Sequence, residues 1–195
     1  PIMIRAAGGP SILKELSDED IAMDMEDVLR IGACGTAIQV FIGGEFESRS
    51  VVNMTKLADA GSRYGVPTMA VTAVGKELER TPRYFRLATR MLAELGANII
   101  KTYYTETEFE TITAACPVPI VIAGGKKRPE LDALEMAYRD KGQGAAGVDM
   151  GRNIFQSDSP QGMMSAIQAV VHENAKPKEA FGIYEQIKSE ERKGR

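Results

Sequence analysis

The stretch CPVPIVIAGGKK, residues 116–127, decides the fold, because a short apolar run passes directly into a glycine turn. Residues 120–123 are all apolar, as expected of a parallel strand buried on both faces. Comparable runs follow one another along the chain, each succeeded by a longer segment with helical spacing of apolar residues: 2–5, 36–42, 68–72, 98–103 and 147–150. This alternation predicts an α/β domain, either an open doubly wound sheet or a (β/α) barrel.

Signals for helix starts and ends support this alternation. Thr81 suits a helix N-cap and Pro82 suits the first helical position, while Gly96 follows the last apolar residue of that segment, Leu95. The segments that begin near Pro129 and at Ser159 show the same pattern. We therefore expect helices between the last strands as well.

The composition excludes several classes of protein. The 195 residues carry 24 Lys and Arg against 27 Asp and Glu, a net charge of −3, without the basic stripe that nucleic acid or an anionic membrane requires. No apolar stretch approaches the roughly 20 residues of a membrane span. One histidine and two distant cysteines predict neither a metal site nor a disulfide framework. We expect a cytoplasmic location, and the absence of an initiator Met suggests the remainder of a longer chain.

Two late glycine loops favour the barrel over the open sheet. Gly124 and Gly125 follow the fifth run, and Gly151 and Arg152 follow the sixth. Glycines let backbone amides approach an anion, arginine donates two hydrogen bonds to a phosphate, and barrels bind phosphate after strands 7 and 8. These loops predict a phosphate site on a TIM (β/α)8 barrel of which only strands 3 to 8 are visible. Ordinary turns with solvated basic residues remain the alternative.

A lysine inside an apolar strand is the second candidate site. Lys101 lies in NIIKTYY, residues 98–104, where it must reach solvent, pair with a carboxylate or occupy a cavity that favours the neutral amine. A neutral lysine forms Schiff bases with carbonyl substrates, whereas a paired interior lysine has only a structural role. Period two predicts Tyr103 on the same face, as a proton donor or as a packing residue.

Four motifs together resemble the class I aldolase superfamily of lysine-dependent barrels, and most of all its thiolases that process phosphorylated autoinducer-2. They are PTMAVTAVGK (67–76), GANIIKTYY (96–104), CPVPIVIAGGKK (116–127) and GVDMGRNIFQSD (147–158). The resemblance implies that Lys101 is catalytic and that the substrate phosphate is bound by Gly124, Gly125, Gly151 and Arg152. It also implies coenzyme A as co-substrate, no bound cofactor or metal, and a ring-type homo-oligomer.

Two departures from the family pattern shape these expectations. The FDHG motif of the family's first strand is absent from these 195 residues, as expected if the barrel portion, residues 1–174, lacks its first two βα units. Residues 72–74 read TAV where related fructose-bisphosphate aldolases carry an acid tyrosine, which favours the thiolase branch. Residues 175–195 form a separate C-terminal helix and charged tail, whose apolar stripe covers the barrel or a neighbouring subunit.

The function expected from these features is a lysine-dependent acyltransferase that cleaves a phosphorylated β-diketone with coenzyme A. The alternatives are a class I aldolase that acts on another phosphosugar and a non-catalytic phosphosugar-binding or assembly subunit. Ordinary thiolases use a cysteine nucleophile, but Cys34 and Cys116 each precede a strand, at the end opposite the catalytic face of a barrel. We expect both cysteines to be packing residues.

Overall fold

The computed structural model describes residues 1–8, 18–74 and 78–194. The chain forms two compact units, Pro1–Ile120 and Val121–Arg195. Parallel strands alternate with helices in both units, which confirms the α/β prediction. No helix within the described ranges has the length and apolar character that a transmembrane segment needs.

The first unit contains four parallel strands that pair in chain order. Its strands are β1 (Met3–Arg5), β2 (Gly35–Val40), β3 (Thr68–Thr72) and β4 (Ile99–Thr102). Its helices are α1 (Met25–Arg30), α2 (Glu47–Tyr64), α3 (Pro82–Glu94) and α4 (Phe109–Ala115). All four predicted strands of this unit are therefore confirmed: β3 has the predicted bounds, and the ends of the others differ by at most two residues.

One face of this sheet is buried along β2, β3 and β4, and α2 and α3 pack against these strands. Alternate residues supply this face: Thr36, Ile38, Val40, Thr68, Ala70, Thr72, Ile100 and Thr102. The hydroxyls pair within it, Thr36 Oγ1 with Thr68 Oγ1 at 3.0 Å and Thr72 Oγ1 with Thr102 Oγ1 at 2.9 Å. The intervening residues, Lys101 among them, consequently belong to the opposite face.

The predicted start of α3 is confirmed. The Thr81 side chain accepts a hydrogen bond from the Tyr84 amide at 3.2 Å, and Pro82 occupies the first turn. Phe85, Ala88 and Leu92 are fully buried, but Leu95 is not part of this stripe. Leu95 is the C-cap residue and is 38% exposed, because the helix ends before its side chain can reach the core.

The second unit pairs β5 (Ile120–Ala123), whose first residue belongs to the first unit, with β6 (Gly147–Asp149) in parallel. Its helices are α5 (Glu130–Gly142), α6 (Gly151–Phe155), α7 (Pro160–Glu173) and α8 (Pro177–Lys193). Ser159 caps α7 by accepting a hydrogen bond from the Gly162 amide at 3.0 Å, as predicted. The sequence analysis did not predict α6, which lies between β6 and α7.

The C-terminal helix α8 packs on α5 and α7. Ala180 and Tyr184 of its apolar stripe are buried in the core of the second unit. Lys188 pairs with Asp158 at 3.0 Å and also lies over the Tyr184 ring. The stripe therefore covers its own chain, which was one of the two alternatives.

A carboxylate is buried near the end of α5. Asp140 is 0% exposed, and neither of its side-chain oxygens has a hydrogen-bond partner among the described residues. Arg139 Nε lies 3.8 Å from Asp140 Oδ1, outside hydrogen-bond range. Burial raises the pKa of Asp140 from 3.8 to about 7, although the charges of Arg139 and Arg128 oppose the shift. Asp140 therefore takes up a proton more readily in the folded protein than in the unfolded chain.

This burial predicts a pH-dependent stability. Because the folded pKa lies above the unfolded one, the stabilising contribution of neutral Asp140 is complete below pH 3.8 and is lost as the pH rises to about 7. Asp140→Asn should flatten that part of the profile and raise the free energy of unfolding at pH 8 by about 1–3 kcal/mol. Urea unfolding at pH 5 and pH 8 measures the difference.

The matched control is Asp59→Asn, since Asp59 is an exposed helical carboxylate that pairs with Arg63. This variant should change the free energy of unfolding by less than about 0.5 kcal/mol at either pH. Parallel pH profiles for the parent protein and Asp140→Asn would contradict the assignment.

Candidate active site

Lys101 lies on the less buried face of the first unit's sheet. The strand register aligns it with Val71 of β3, and Val71 with Gln39 of β2. Its side chain is partly buried, while its neighbours Ile100 and Thr102 are fully buried on the other face. The alternation expected from the sequence therefore holds along β4.

Two further polar residues share this face and were missed by the sequence analysis. Arg5 at the end of β1 hydrogen-bonds to Gln39 Oε1 and to Glu19 Oε1, each at 2.5 Å. Glu19 is 8% exposed. The sequence did contain a signal for Arg5 and Gln39. Each is a polar residue in a mainly apolar run, which is the same feature that identified Lys101. Arg5, Gln39 and Lys101 thus occupy one face near the carboxyl ends of their strands.

Tyr103 follows the last residue of β4 and is partly buried. The guanidinium of Arg80 lies over its ring, 4.0 Å from the centroid, and the ring of Phe85 is 6.2 Å away. Both neighbours belong to α3 or to the segment before it. The Tyr103 ring is therefore close to both a guanidinium and an aromatic ring.

Tyr84 connects the ends of β2 and β3. Its hydroxyl lies 2.8 Å from the carbonyl oxygen of Ile42 and 3.2 Å from that of Ala73. Burial, reinforced by the charge of Glu47, raises the pKa of Tyr84 to about 12. The neutral hydroxyl therefore acts as a donor that fixes two loops at the end of the sheet where Lys101 lies.

The glycine loop after β5 requires glycine at both positions, for different reasons. Gly125 has φ +66°, a left-handed conformation that side chains disfavour. Gly124 is tightly packed, because a Cβ there would lie 2.9 Å from Met150 Cα and 2.9 Å from Asn153 Nδ2. The Gly124 amide donates to Asp149 O at 3.2 Å, so this amide is already engaged.

Asn153 joins the two loops and was also missed by the sequence analysis. Its amide nitrogen donates to Gly124 O at 2.9 Å, and its Oδ1 accepts from the Arg128 amide at 2.8 Å. Asn153 is 0% exposed, so these hydrogen bonds are shielded from water. No local pattern identifies such a residue, because its partners lie 25 and 29 residues away in sequence. The side chain holds the glycine loop against α6.

Charged residues surround the same loops. Gly151 and Arg152 are exposed at the start of α6. Lys127 Nζ lies 2.7 Å from Glu130 Oε1. Burial alone would raise the pKa of Glu130, but hydrogen bonds from Lys127 and from its own backbone amide hold it below the usual value. The second unit therefore presents an exposed arginine and a lysine beside the glycine loop.

The cysteines lie before their strands, as expected, but Cys34 is not a packing residue. Cys34 lies immediately before β2 and is exposed, and its thiol donates a hydrogen bond to Ile2 O at 3.2 Å. Cys116 is partly buried, and burial raises the pKa of its thiol. Among residues 1–8, 18–74 and 78–194, no cluster of three or more His, Cys, Asp or Glu side chains forms a metal site.

Curated relatives match almost all of this chain. It is 58% identical over 191 residues to a 3-hydroxy-5-phosphonooxypentane-2,4-dione thiolase of Enterobacter sp. (strain 638), an alignment that covers 98% of this chain and 65% of the relative. It is 59% identical over 184 residues to the thiolase of that name from Photorhabdus laumondii, with coverages of 94% and 63%. The chain spans just under two thirds of the length of these relatives.

A solved structure shares the fold. An archaeal fructose-1,6-bisphosphate aldolase, solved with its catalytic Lys covalently bound to a carbinolamine intermediate, superimposes with a TM-score of 0.80 at 22% identity. The match covers 88% of this chain and 71% of that chain. The likeness supports an aldolase-type α/β fold. The model of the DeoC/LacD family aldolases matches residues 3–157, and the chain therefore belongs to the DeoC/LacD aldolase family.

Proposed function

We propose that this chain is part of a lysine-dependent acyltransferase that cleaves 3-hydroxy-5-phosphonooxypentane-2,4-dione with coenzyme A. The products are dihydroxyacetone phosphate and acetyl-CoA. The observation that carries the proposal is the 58% identity over 98% of the chain to a thiolase named for this substrate. Lys101, the charged residue of β4, supplies the amine that such chemistry needs.

The proposed reaction begins at the carbonyl nearest the phosphate. The Lys101 amine attacks this carbon, and loss of water gives an iminium. The thiolate of coenzyme A then attacks the remote acetyl carbonyl, and the bond between that carbon and the hydroxyl-bearing carbon breaks. The electron pair passes into the iminium, which becomes an enamine. Protonation and hydrolysis of the enamine release dihydroxyacetone phosphate and regenerate the amine, while acetyl-CoA carries away the acetyl group.

The second unit supplies the proposed phosphate site. Gly125 has a left-handed backbone conformation, and no side chain shields its amide. Arg152 carries an exposed guanidinium in the neighbouring loop. Because the Gly124 amide donates to Asp149 O, Gly124 acts by permitting close packing, and Gly151 leaves the start of α6 open. Together these four residues suit a phosphate dianion.

Further parts of the proposal concern the whole protein. The six strands correspond to strands 3 to 8 of a TIM barrel, with residues 1–174 in the barrel and residues 175–195 as the C-terminal segment. Tyr103 transfers a proton to or from the substrate. The enzyme is a cytoplasmic homo-oligomer that needs no bound cofactor, metal ion or nucleic acid.

Replacement of Lys101 tests the mechanism directly. Lys101→Met retains much of the side-chain volume but lacks the amine, so it should retain the fold and abolish cleavage. Lys101→Arg should also be inactive, because a guanidinium stays protonated. Borohydride treatment of the parent protein with the phosphorylated diketone should attach a reduced adduct to the peptide containing Lys101, as read by mass spectrometry.

Lys56→Met is the matched control, since Lys56 is exposed on α2 and should leave cleavage and trapping unchanged. An adduct on another lysine, or full activity in either Lys101 variant, would overturn the mechanism. Cleavage that proceeds at the same rate without coenzyme A would instead indicate an aldolase.

Arg152→Ala tests the phosphate site. Loss of one charged hydrogen bond should weaken binding of dihydroxyacetone phosphate by about 1.5–3 kcal/mol, because the guanidinium no longer opposes the phosphate charge. Calorimetric titration measures this affinity, and Arg63→Ala is the control, because Arg63 is an exposed residue of α2 in the other unit. An unchanged affinity would remove Arg152 from the site.

Gly124→Ala tests the packing of the glycine loop. The added methyl group would displace Met150 and Asn153, so we expect a loss of about 1–3 kcal/mol in unfolding free energy together with weaker phosphate binding. Gly142→Ala is the control, because a Cβ at Gly142 meets no atom within 4 Å. Equal stability of the two variants in urea unfolding would contradict the packing role.

A further inference from the structure

We propose that a cavity at the start of α3 binds the nucleotide end of coenzyme A, with Arg83 and Arg80 on its phosphates. The inference rests on the proposed function, since it concerns the binding site of the thiol acceptor. It goes beyond that function by assigning the acceptor to residues that the resemblance does not implicate.

The cavity has the dimensions and lining of a nucleotide site. Its volume is about 520 Å³, and its walls contain Leu78, Glu79, Arg83, Tyr84 and Leu87. Leu78 is 41% exposed and Leu87 is 63% exposed, although both are large apolar residues. A planar purine would cover this apolar surface, and the Glu79 carboxylate can accept a hydrogen bond from the exocyclic amino group of adenine.

The cavity lies at the end of the sheet where Lys101 lies. Tyr84 forms part of its wall, and the Tyr84 hydroxyl is held by carbonyls that follow β2 and β3. Arg80, one residue before the N-cap of α3, lies over the ring of Tyr103, two residues after Lys101. The segment 80–84 therefore connects the cavity to the end of the catalytic strand.

The charge of this segment suits phosphate groups. Within the described parts of the chain, neither Arg80 nor Arg83 pairs with an acidic side chain. Arg90, farther along α3, does so, with its Nε 2.7 Å from Glu94 Oε1. Glu79 would repel a phosphate placed beside it, so we assign the phosphates to the side that carries Arg83 and Arg80. Arginine binds phosphate through two hydrogen bonds, and a guanidinium stacked on an aromatic ring is already oriented.

Coenzyme A carries the chemical groups that this surface complements. Its adenine is planar and weakly polar, its 3′-phosphate and diphosphate are anionic, and its flexible pantetheine arm can carry the thiol away from the nucleotide. The phosphorylated diketone has a single phosphate, for which the loops of the second unit are proposed. Additional arginines at the carboxyl ends of the strands are therefore available for the second substrate.

Calorimetric titration of the 195-residue chain with coenzyme A, dephospho-CoA and pantetheine tests the assignment. Arg83→Ala and Arg80→Ala should each raise the dissociation constant for coenzyme A about tenfold. At least one of them should also reduce the difference in affinity between coenzyme A and dephospho-CoA. Binding of pantetheine, which lacks the nucleotide, should not change. Arg90→Ala on the same helix is the matched control and should bind coenzyme A as the parent does.

Two outcomes overturn the inference: unchanged coenzyme A affinity in both arginine variants, or a parent chain that binds coenzyme A no more tightly than pantetheine. Borohydride trapping separates this failure from failure of the proposed function. If the adduct forms on Lys101 while the arginine variants bind normally, only the nucleotide site is wrong. If the variants lose coenzyme A affinity but no adduct forms on Lys101, the nucleotide site stands and the lysine mechanism fails.

Discussion

The alternation of side chains along a parallel strand is the constraint on which the rest of this structure depends. Burial of Ile100 and Thr102 beneath helices leaves only the opposite face for Lys101. The same alternation brings Arg5 and Gln39 onto that face from β1 and β2. A lysine in the middle of a mainly apolar strand is thus compatible with a stable core, because the lysine and the core residues lie on opposite faces of that strand.

Much of the fold was predictable because its signals are local. Apolar runs identified all six strands, and the pairs Thr81–Pro82 and Ser159–Pro160 identified two helix starts. The five-residue helix α6 was missed because it is too brief for a periodic pattern. The α4 N-cap, Glu108, has φ +57°, which no preference of glutamate would suggest. The prediction for Cys34 was wrong for a different reason. Free cysteines are commonly buried, but this general tendency does not hold at position 34, where the side chain is exposed.

The candidate site was predictable only where a strand or a glycine marks it. Lys101 and Gly125 were identified because each is unusual in its local context. Asn153 and Tyr84 were not, because their importance comes from hydrogen bonds to backbone atoms that the fold brings near. Tyr103 marks the limit of the periodicity argument, which holds within β4 but cannot describe contacts beyond its end, such as the ring contact with Arg80. The contacts of these residues are with atoms that are distant in sequence, and such contacts cannot be inferred from a single sequence.

The buried threonine pairs have a consequence for how the sequence can diverge. Thr36 and Thr68 satisfy each other's hydroxyls, so replacing one by valine would leave a buried polar group without its partner. Replacing both by valine would keep the shape of the interface, and no buried hydroxyl would then need a hydrogen-bond partner. Positions 36 and 68 should therefore change together among homologues. The coupling between positions 72 and 102 should be weaker, because the Thr72 hydroxyl also lies 3.3 Å from the carbonyl oxygen of Lys101. The adjacent apolar positions Ala70 and Ile100 face each other across β3 and β4 without a hydrogen bond, so changes there are limited by the volume that the two side chains share in the core.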